Sequence, residues 1–226
     1  MNDHGIAVLI FAHSGLVEAR HKKIAHSPNL FEILTEHTLK EVRRSGLPHF
    51  HFTEKEQIGR SFGERFTHAV RSVFAKGYEG VICVGNDTPG LGQKALKHAA
   101  HAIRSNQAVV GPSADGGFYL LGIRKGWFDL NALIGLPWQK ASMADFTKQL
   151  LADAGISCLE LDRLRDIDSN ASFRALLKNS YTLGDRLVRL LLDFVMLLPA
   201  SFQVVFAPYT PVFVQIPCNK GSPKRD

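Results

Sequence analysis

Val81-Ile82-Cys83-Val84-Gly85-Asn86-Asp87-Thr88-Pro89 is an apolar run that stops on a carboxylate inside a Gly/Pro-bounded turn. A short uninterrupted apolar run between turn residues reads as a strand buried on both faces, the pattern of a parallel strand covered by helices. In open α/β sheets ligands bind beyond the carboxyl ends of such strands, so Asp87 stands where a metal or phosphate ligand belongs. A carboxylate there can hold a divalent cation by hard oxygen ligation, and through it a diphosphate. Asp followed by Thr-Pro also begins helices well, which makes an N-cap the competing reading of Asp87.

Outward from this strand the chain alternates. Residues 6–12 form an apolar run broken by His13-Ser14-Gly15, a first strand and its loop, and residues 28–44 carry a helical apolar stripe that ends before Gly46 and Pro48. Phe50 and Phe52 mark a second strand, followed by a loop and a helix over 64–76, then the strand 80–84, a helix over 92–104 and a strand over 108–111. The next strand, 118–123, follows after only Pro112-Ser113-Ala114-Asp115-Gly116-Gly117, too few residues for a crossover helix. This spacing predicts an antiparallel element within a mixed, mostly parallel sheet. A helix over 141–154, a strand over 157–161 and the turn Arg165-Asp166-Ile167-Asp168-Ser169 bring the fold to an end near residue 177.

The 226 residues are 45% hydrophobic, enough for a sizeable core without staples. Cys83, Cys158 and Cys218 lie far apart and without zinc spacing, and the first two fall in predicted strands; they read as buried thiols of a reducing cytoplasm. The formal charge of +6 is scattered, with part of it in Lys220, Lys224 and Arg225, so small anions are expected as partners and nucleic acid is not. Residues 1–12 lack the basic head, long apolar core and cleavage site of a signal peptide, so export by that route is not expected.

Four blocks carry a resemblance: Gln57-Ile58-Gly59 with Phe62-Gly63-Glu64-Arg65-Phe66; Gly85-Asn86-Asp87-Thr88-Pro89-Gly90-Leu91; Gly111 through Gly122; and Asp166-Ile167-Asp168-Ser169. Over roughly residues 6–177 the chain resembles a bacterial family of GT-A-like, glycosyltransferase-like proteins of uncertain function. That family is similar to phospholactate guanylyltransferases and other nucleotide-diphospho-sugar transferases. The resemblance implies a Rossmann-like GT-A three-layer sandwich, with Asp87 in place of the acidic metal ligand and the Asp166/Asp168 turn in place of the second acidic group. Transfer from a nucleotide diphosphate needs the leaving phosphate charge neutralised, which Mg²⁺ or Mn²⁺ between carboxylates supplies. Asp87 and Asp168 are the first choices as metal ligands, with Asp166 an equal candidate for the second. An Asx-turn or N-cap before a helix at Ala171 would use the same two aspartates.

In Asp115-Gly116-Gly117 two glycines permit positive φ and close backbone approach. Their amides can face an anionic oxygen while the carboxylate, a catalytic candidate beside Asp87, contacts an acceptor; a plain hairpin turn would also use Asp-Gly. Arg60 and Arg65 are candidates for phosphate oxygens, or else a solvated pair with Glu64. Trp138, after Gly135-Leu136-Pro137, is either an acceptor-pocket wall or core. The family's first loop carries a Lys-Thr-Arg-Leu segment that this chain lacks; Gly15, Arg20 and Lys23 are the candidates to replace it in holding phosphate. His49 with His51 and His98 with His101 share faces, but with no third ligand at a telling spacing they read as surface or cap residues.

The segment 179–226 differs in composition. Residues 183–198 read as a helix apolar almost all round, residues 194–218 carry no charge, and Pro199, Pro208, Pro211 and Pro217 interrupt any longer helix. The division expected is a GT-A-like domain over 1–178 and an apolar extension over 179–226. The extension is a docked arm or homodimer interface, a peripheral membrane contact, or less readily a span. The function expected is a divalent-metal-dependent glycosyl- or nucleotidyltransferase in the cytoplasm, using a nucleotide or nucleotide-sugar donor and a small acceptor. The alternative is a nucleotide-binding or scaffold module of the same shape without turnover.

Overall fold

The computed structural model describes residues 5–22, 24, 27–179 and 183–197. Strands β1 (Ile6–Phe11), β2 (His49–Phe52), β3 (Gly80–Val84), β4 (Ala108–Pro112), β5 (Phe118–Arg124) and β6 (Cys158–Glu160) build a six-stranded sheet in the order β2-β1-β3-β5-β4-β6. β1 pairs parallel with β2 and β3, and β4 pairs parallel with β6. β5 runs antiparallel to both β3 and β4, the mixed element that the short connection demands.

Alternation along the strands sorts side chains to two cores. Ala7, Leu9, Phe11, Val81, Cys83, Leu121 and Ile123 point to one face and pack with α3 (Phe62–Ala75) and α5 (Met143–Asp153). Ile6, Val8, Ile10, Ile82, Val84 and Leu120 point to the other, against α4 (Gln93–Arg104) and Val42 of α2 (Ser27–Ser45). The result is the three-layer α/β sandwich expected. Ser61 starts α3 with a capping box, its hydroxyl accepting from the Glu64 N–H while the Glu64 carboxylate accepts from the Ser61 N–H. Register places Ile10 opposite Val84 and Val84 opposite Leu120, so the carboxyl ends of β1 and β3 and the start of β5 lie at one edge of the sheet.

Two short elements depart from the reading of the sequence. The stretch after β1, expected as loop, forms α1 (Gly15–His21), and Leu130–Leu133 form a 3₁₀ turn. Neither is long enough to show an apolar period. Gly15 is needed for α1: a Cβ there would lie 2.5 Å from the Pro28 carbonyl oxygen and 2.7 Å from Glu32 Cγ, so the helix could not rest on α2.

α6 (Asn170–Lys178) and α7 (Asp185–Leu197) complete the described chain. Leu187, Leu191, Phe194 and Val195 of α7 share one buried cluster with Leu30, Phe31 and Leu34 of α2 and Phe173, Leu176 and Leu177 of α6. The described part of the extension, 183–197, is thus packed onto α2 and α6. No helix of the described residues is long and apolar enough to cross a membrane. The Pro-containing stretch after residue 197, with Cys218 and the basic tail, lies outside the described residues, as does Lys23. Cys83 is buried, Cys158 half-buried, and both are free thiols.

Candidate functional site

The turn after β3 is fixed from two sides. Asn86 Nδ2 donates to Thr35 Oγ1 of α2 at 2.9 Å, and the Asp87 carbonyl accepts the Ile167 N–H at 2.8 Å. The second contact draws in the chain after β6, which first follows β4: Leu164 N–H donates to the Pro112 carbonyl at 3.1 Å and Arg163 Nη1 to the Ser113 carbonyl at 3.0 Å. Asp166 thereby comes beside Asp87, its Oδ1 accepting the Thr88 hydroxyl at 2.5 Å. Burial, then the negative charge of Asp87, push the Asp166 carboxyl up to about 7; Asp115 adds to the rise, and hydrogen bonds from Thr88 and Ser113 oppose it. These three aspartates, from turns 28 to 79 residues apart in sequence, share one field.

Lys22, just past the end of α1, answers that field. Its Nζ lies 2.6 Å from Asp87 Oδ2, with the two side chains 22% and 24% exposed. Burial alone would lower the Lys22 pKa, but Asp87, Glu18 and Asp166 together hold it above the usual lysine value. Glu18, one turn earlier, is buried, and its carboxyl is raised by that burial, with Lys22 pulling it down and Asp87 pushing it up. The loop that leads into α1 is held by Glu54, which accepts the Ser14 N–H and hydroxyl, each at 2.8 Å. His13 stacks on His21 at 5.7 Å between centroids; burial, and then the His21 charge, keep its pKa below the usual histidine value.

The other expected site residues divide. Asp168 is exposed and accepts the Ser172 hydroxyl at 3.0 Å, while Ser169 and Ser172 form the capping box of α6. The turn reading thus describes Asp168, and the place beside Asp87 passes to Asp166. Asp115 is exposed, its Oδ1 accepting the Gly117 N–H at 2.9 Å and the Ser113 hydroxyl. Gly116 has φ +91°, and a Cβ there would lie 1.8 Å from the Ala141 carbonyl oxygen, so this glycine serves packing as well as the turn.

Trp138, half-buried, takes the second of its two readings. It packs among Phe62, Phe66 and Phe118, and its Nε1 donates to the Leu133 carbonyl at 2.8 Å. A Cβ at Gly63 would meet that nitrogen at 2.6 Å. Arg65 is half-buried with its Nε unpartnered among the described residues, and its charge reaches His13. Arg60 and Arg20 are exposed, and the Glu64 carboxylate takes the Arg60 backbone N–H at 2.6 Å. Sequence reasoning missed Lys22: its partner is 65 residues away, and only its neighbour Lys23 was singled out.

Chemically, the edge offers two adjacent carboxylates, Asp87 and Asp166, that share a countercharge. Among the described residues no group of three or more His, Cys, Asp or Glu is arranged to hold a metal, so any ion here would complete its shell with water or substrate oxygens. Two well-formed cavities lie elsewhere. One of 1070 Å³ lies between α2 and α7, and one of 530 Å³ runs between Gly92, Tyr119 and Leu164; Asp87 lines neither.

Residues 30–140 match the model of a family described as an uncharacterized protein conserved in bacteria, DUF2064. No curated protein matches the sequence. Among solved structures, the chain is similar to a provisionally assigned nucleotide-diphospho-sugar transferase from Desulfovibrio desulfuricans G20, with TM-score 0.76 and 21% identity over 91% of this chain and 98% of that one. Rv0371c from Mycobacterium tuberculosis H37Rv gives a TM-score of 0.53 at 14% identity over 76% of this chain and 97% of that one. Its homologue from Mycobacterium sp. strain JC1 gives 0.51 at 16% identity over 81% and 100%. The chain has the GT-A-like fold of these proteins.

Proposed function

We propose that this protein transfers a glycosyl or nucleotidyl group from a nucleotide or nucleotide-sugar donor to a small acceptor, with Mg²⁺ or Mn²⁺ held by Asp87 and Asp166. The observation that carries the reading is the pairing of those two carboxylates at the carboxyl ends of the strands, where burial and then the charge of Asp87 raise Asp166 to about 7. Such crowding fits a cation site: a divalent ion neutralises both groups, and one or two carboxylates with donor phosphate oxygens are an ordinary magnesium environment. When bound, the ion supplies Lewis-acid neutralisation of the leaving phosphate.

The chain's own groups do the rest. Lys22, paired with Asp87, and Arg65, whose charge reaches His13, would supply cations to the donor phosphates, and Arg20, Arg60 and Lys23 are further candidates from the sequence. Asp115 and the Gly116-Gly117 turn border the carboxylates from the β4–β5 side and would orient the acceptor hydroxyl, with Asp115 or Asp87 to accept its proton. The exposed apolar residues of α7, Leu190 and Leu197, favour a contact with a second copy or a membrane surface, and free thiols suit a cytoplasmic setting.

Calorimetric titration of a panel of nucleoside triphosphates and nucleotide sugars with Mn²⁺ tests the proposal. Saturable binding of at least one donor is expected, weakened about tenfold or more in Asp87→Ala, the loss of one charge-assisted contact. Absence of binding across the panel overturns it. Binding without product across a panel of acceptors would instead favour the module without turnover, a reading that the departure of the first loop from the family pattern supports.

A further inference from the structure

We infer that Lys22 is an internal counter-ion of the Asp87–Asp166 pair, which a divalent cation must displace, so that this lysine sets cation affinity and couples cation entry to the arrival of an anionic donor. The inference rests on the proposed role of those two carboxylates as cation ligands.

The geometry is specific. Asp87 Oδ2, an oxygen that would coordinate the ion, is taken by Lys22 Nζ at 2.6 Å, and both side chains are largely shielded from water. One ammonium serves three carboxylates, because Glu18 and Asp166 also act on it. A divalent ion at Asp87 therefore arrives against a positive charge held there by a contact that salt and water screen less than a solvated surface pair. Lys22 can still leave. Its backbone caps α1, with the N–H bonded to the Glu18 carbonyl at 3.0 Å, while four rotatable carbons carry the charge. The helix itself is seated on α2 through Gly15, so the ammonium swings from a fixed base.

Exchange then has a direction. Without a donor, a freed ammonium would stay close to the incoming ion and repel it. With a diphosphate present, the ammonium and the ion share the anionic oxygens, and both gain. Cation and donor thus bind cooperatively, each favouring the state in which Lys22 has turned from Asp87.

The test measures Mn²⁺ binding by electron paramagnetic resonance, with and without inorganic pyrophosphate, for the wild type, Lys22→Met, Lys22→Gln and Asp87→Asn, with circular dichroism melts to show that each is folded. Two lysine variants are used because the Met side chain removes the hydrogen bond as well as the charge. Both are expected to bind Mn²⁺ alone about tenfold tighter than the wild type, a coupling of ordinary size. Pyrophosphate is expected to tighten Mn²⁺ binding in the wild type several-fold more than in either variant. Mn²⁺ affinity equal to or weaker than wild type in both folded lysine variants, with binding still lost in Asp87→Asn, overturns the exchange alone. No Mn²⁺ binding by any of the proteins, even with pyrophosphate, overturns the cation reading of the carboxylates and this inference with it.

Discussion

Asp166 shows how a single residue becomes legible only in three dimensions. Two positions separate it from Asp168 in a turn without strand alternation, so composition and spacing weigh them alike. The Ile167 N–H to the Asp87 carbonyl sends one aspartate inward and leaves the other at the start of α6. The inward one carries a cost that depends on pH. Its folded pKa, about 7, lies above the ordinary value of 3.8, so the native state holds a proton that the unfolded chain releases. The stability contributed by protonated Asp166 is full below about pH 4 and is lost as pH rises through 7. Asp166→Asn, which keeps an acceptor for Thr88, is expected to raise stability by roughly 2 kcal/mol at pH 8, allowing for screening, and by clearly less at pH 5. Thermal melts of both proteins at the two pH values decide it; an equal gain at each would mean that the Asp166 carboxyl is not raised in the folded protein. Asp87 itself was readable because an apolar strand points to its own end. Lys22 was not, since no local pattern marks a side chain that meets its partner across two elements.

Among the elements, those with an unbroken apolar run or a helical period were read almost to the residue, as with β3 at Gly80–Val84 and α4 at Gln93–Arg104. α1 was not, because seven residues give too few turns for an apolar stripe and its seat on α2 depends on the missing side chain of Gly15. The β4–β5 turn was read for its shape but not for its packing. Gly116 combines φ +91° with a carbonyl oxygen of Ala141 where a Cβ would go, whereas at Gly117 the nearest atom is the Ser113 hydroxyl at 3.0 Å, which can rotate aside. Gly116→Ala is expected to cost roughly 3 kcal/mol by strain and collision, and Gly117→Ala distinctly less. Urea denaturation of the two variants measures the difference; similar midpoints would show that the strand connection and the segment before α5 do not press on each other as described.

At the scale of the molecule, a mixed, mostly parallel sheet followed from alternation and from one connection too short for a helix; the strand order that gathers distant carboxylates at one edge was legible only in the structure. The partition of the chain was harder to read. A change of composition after residue 178 suggests a boundary, yet α7 is apolar because it fills the space beside α2 and α6, which a linear sequence cannot distinguish from an apolar appendage. If α7 belongs to the core, its inward and outward leucines must behave differently. Leu191 is fully buried, while Leu197 is 83% exposed. Leu191→Ala is expected to cost about 3 kcal/mol through lost transfer energy and the cavity left between three helices, whereas Leu197→Ala should stay within about 0.5 kcal/mol of the parent. Both follow from denaturant titration monitored by tryptophan fluorescence, since Trp127 and Trp138, partly buried, pack against the core on the far side of the sheet and report global unfolding. Coincident loss of that signal and of helicity in Leu191→Ala would show α7 unfolding with the sandwich. An unshifted midpoint would mean that α7 does not stabilise the sandwich, and the boundary would return to residue 178.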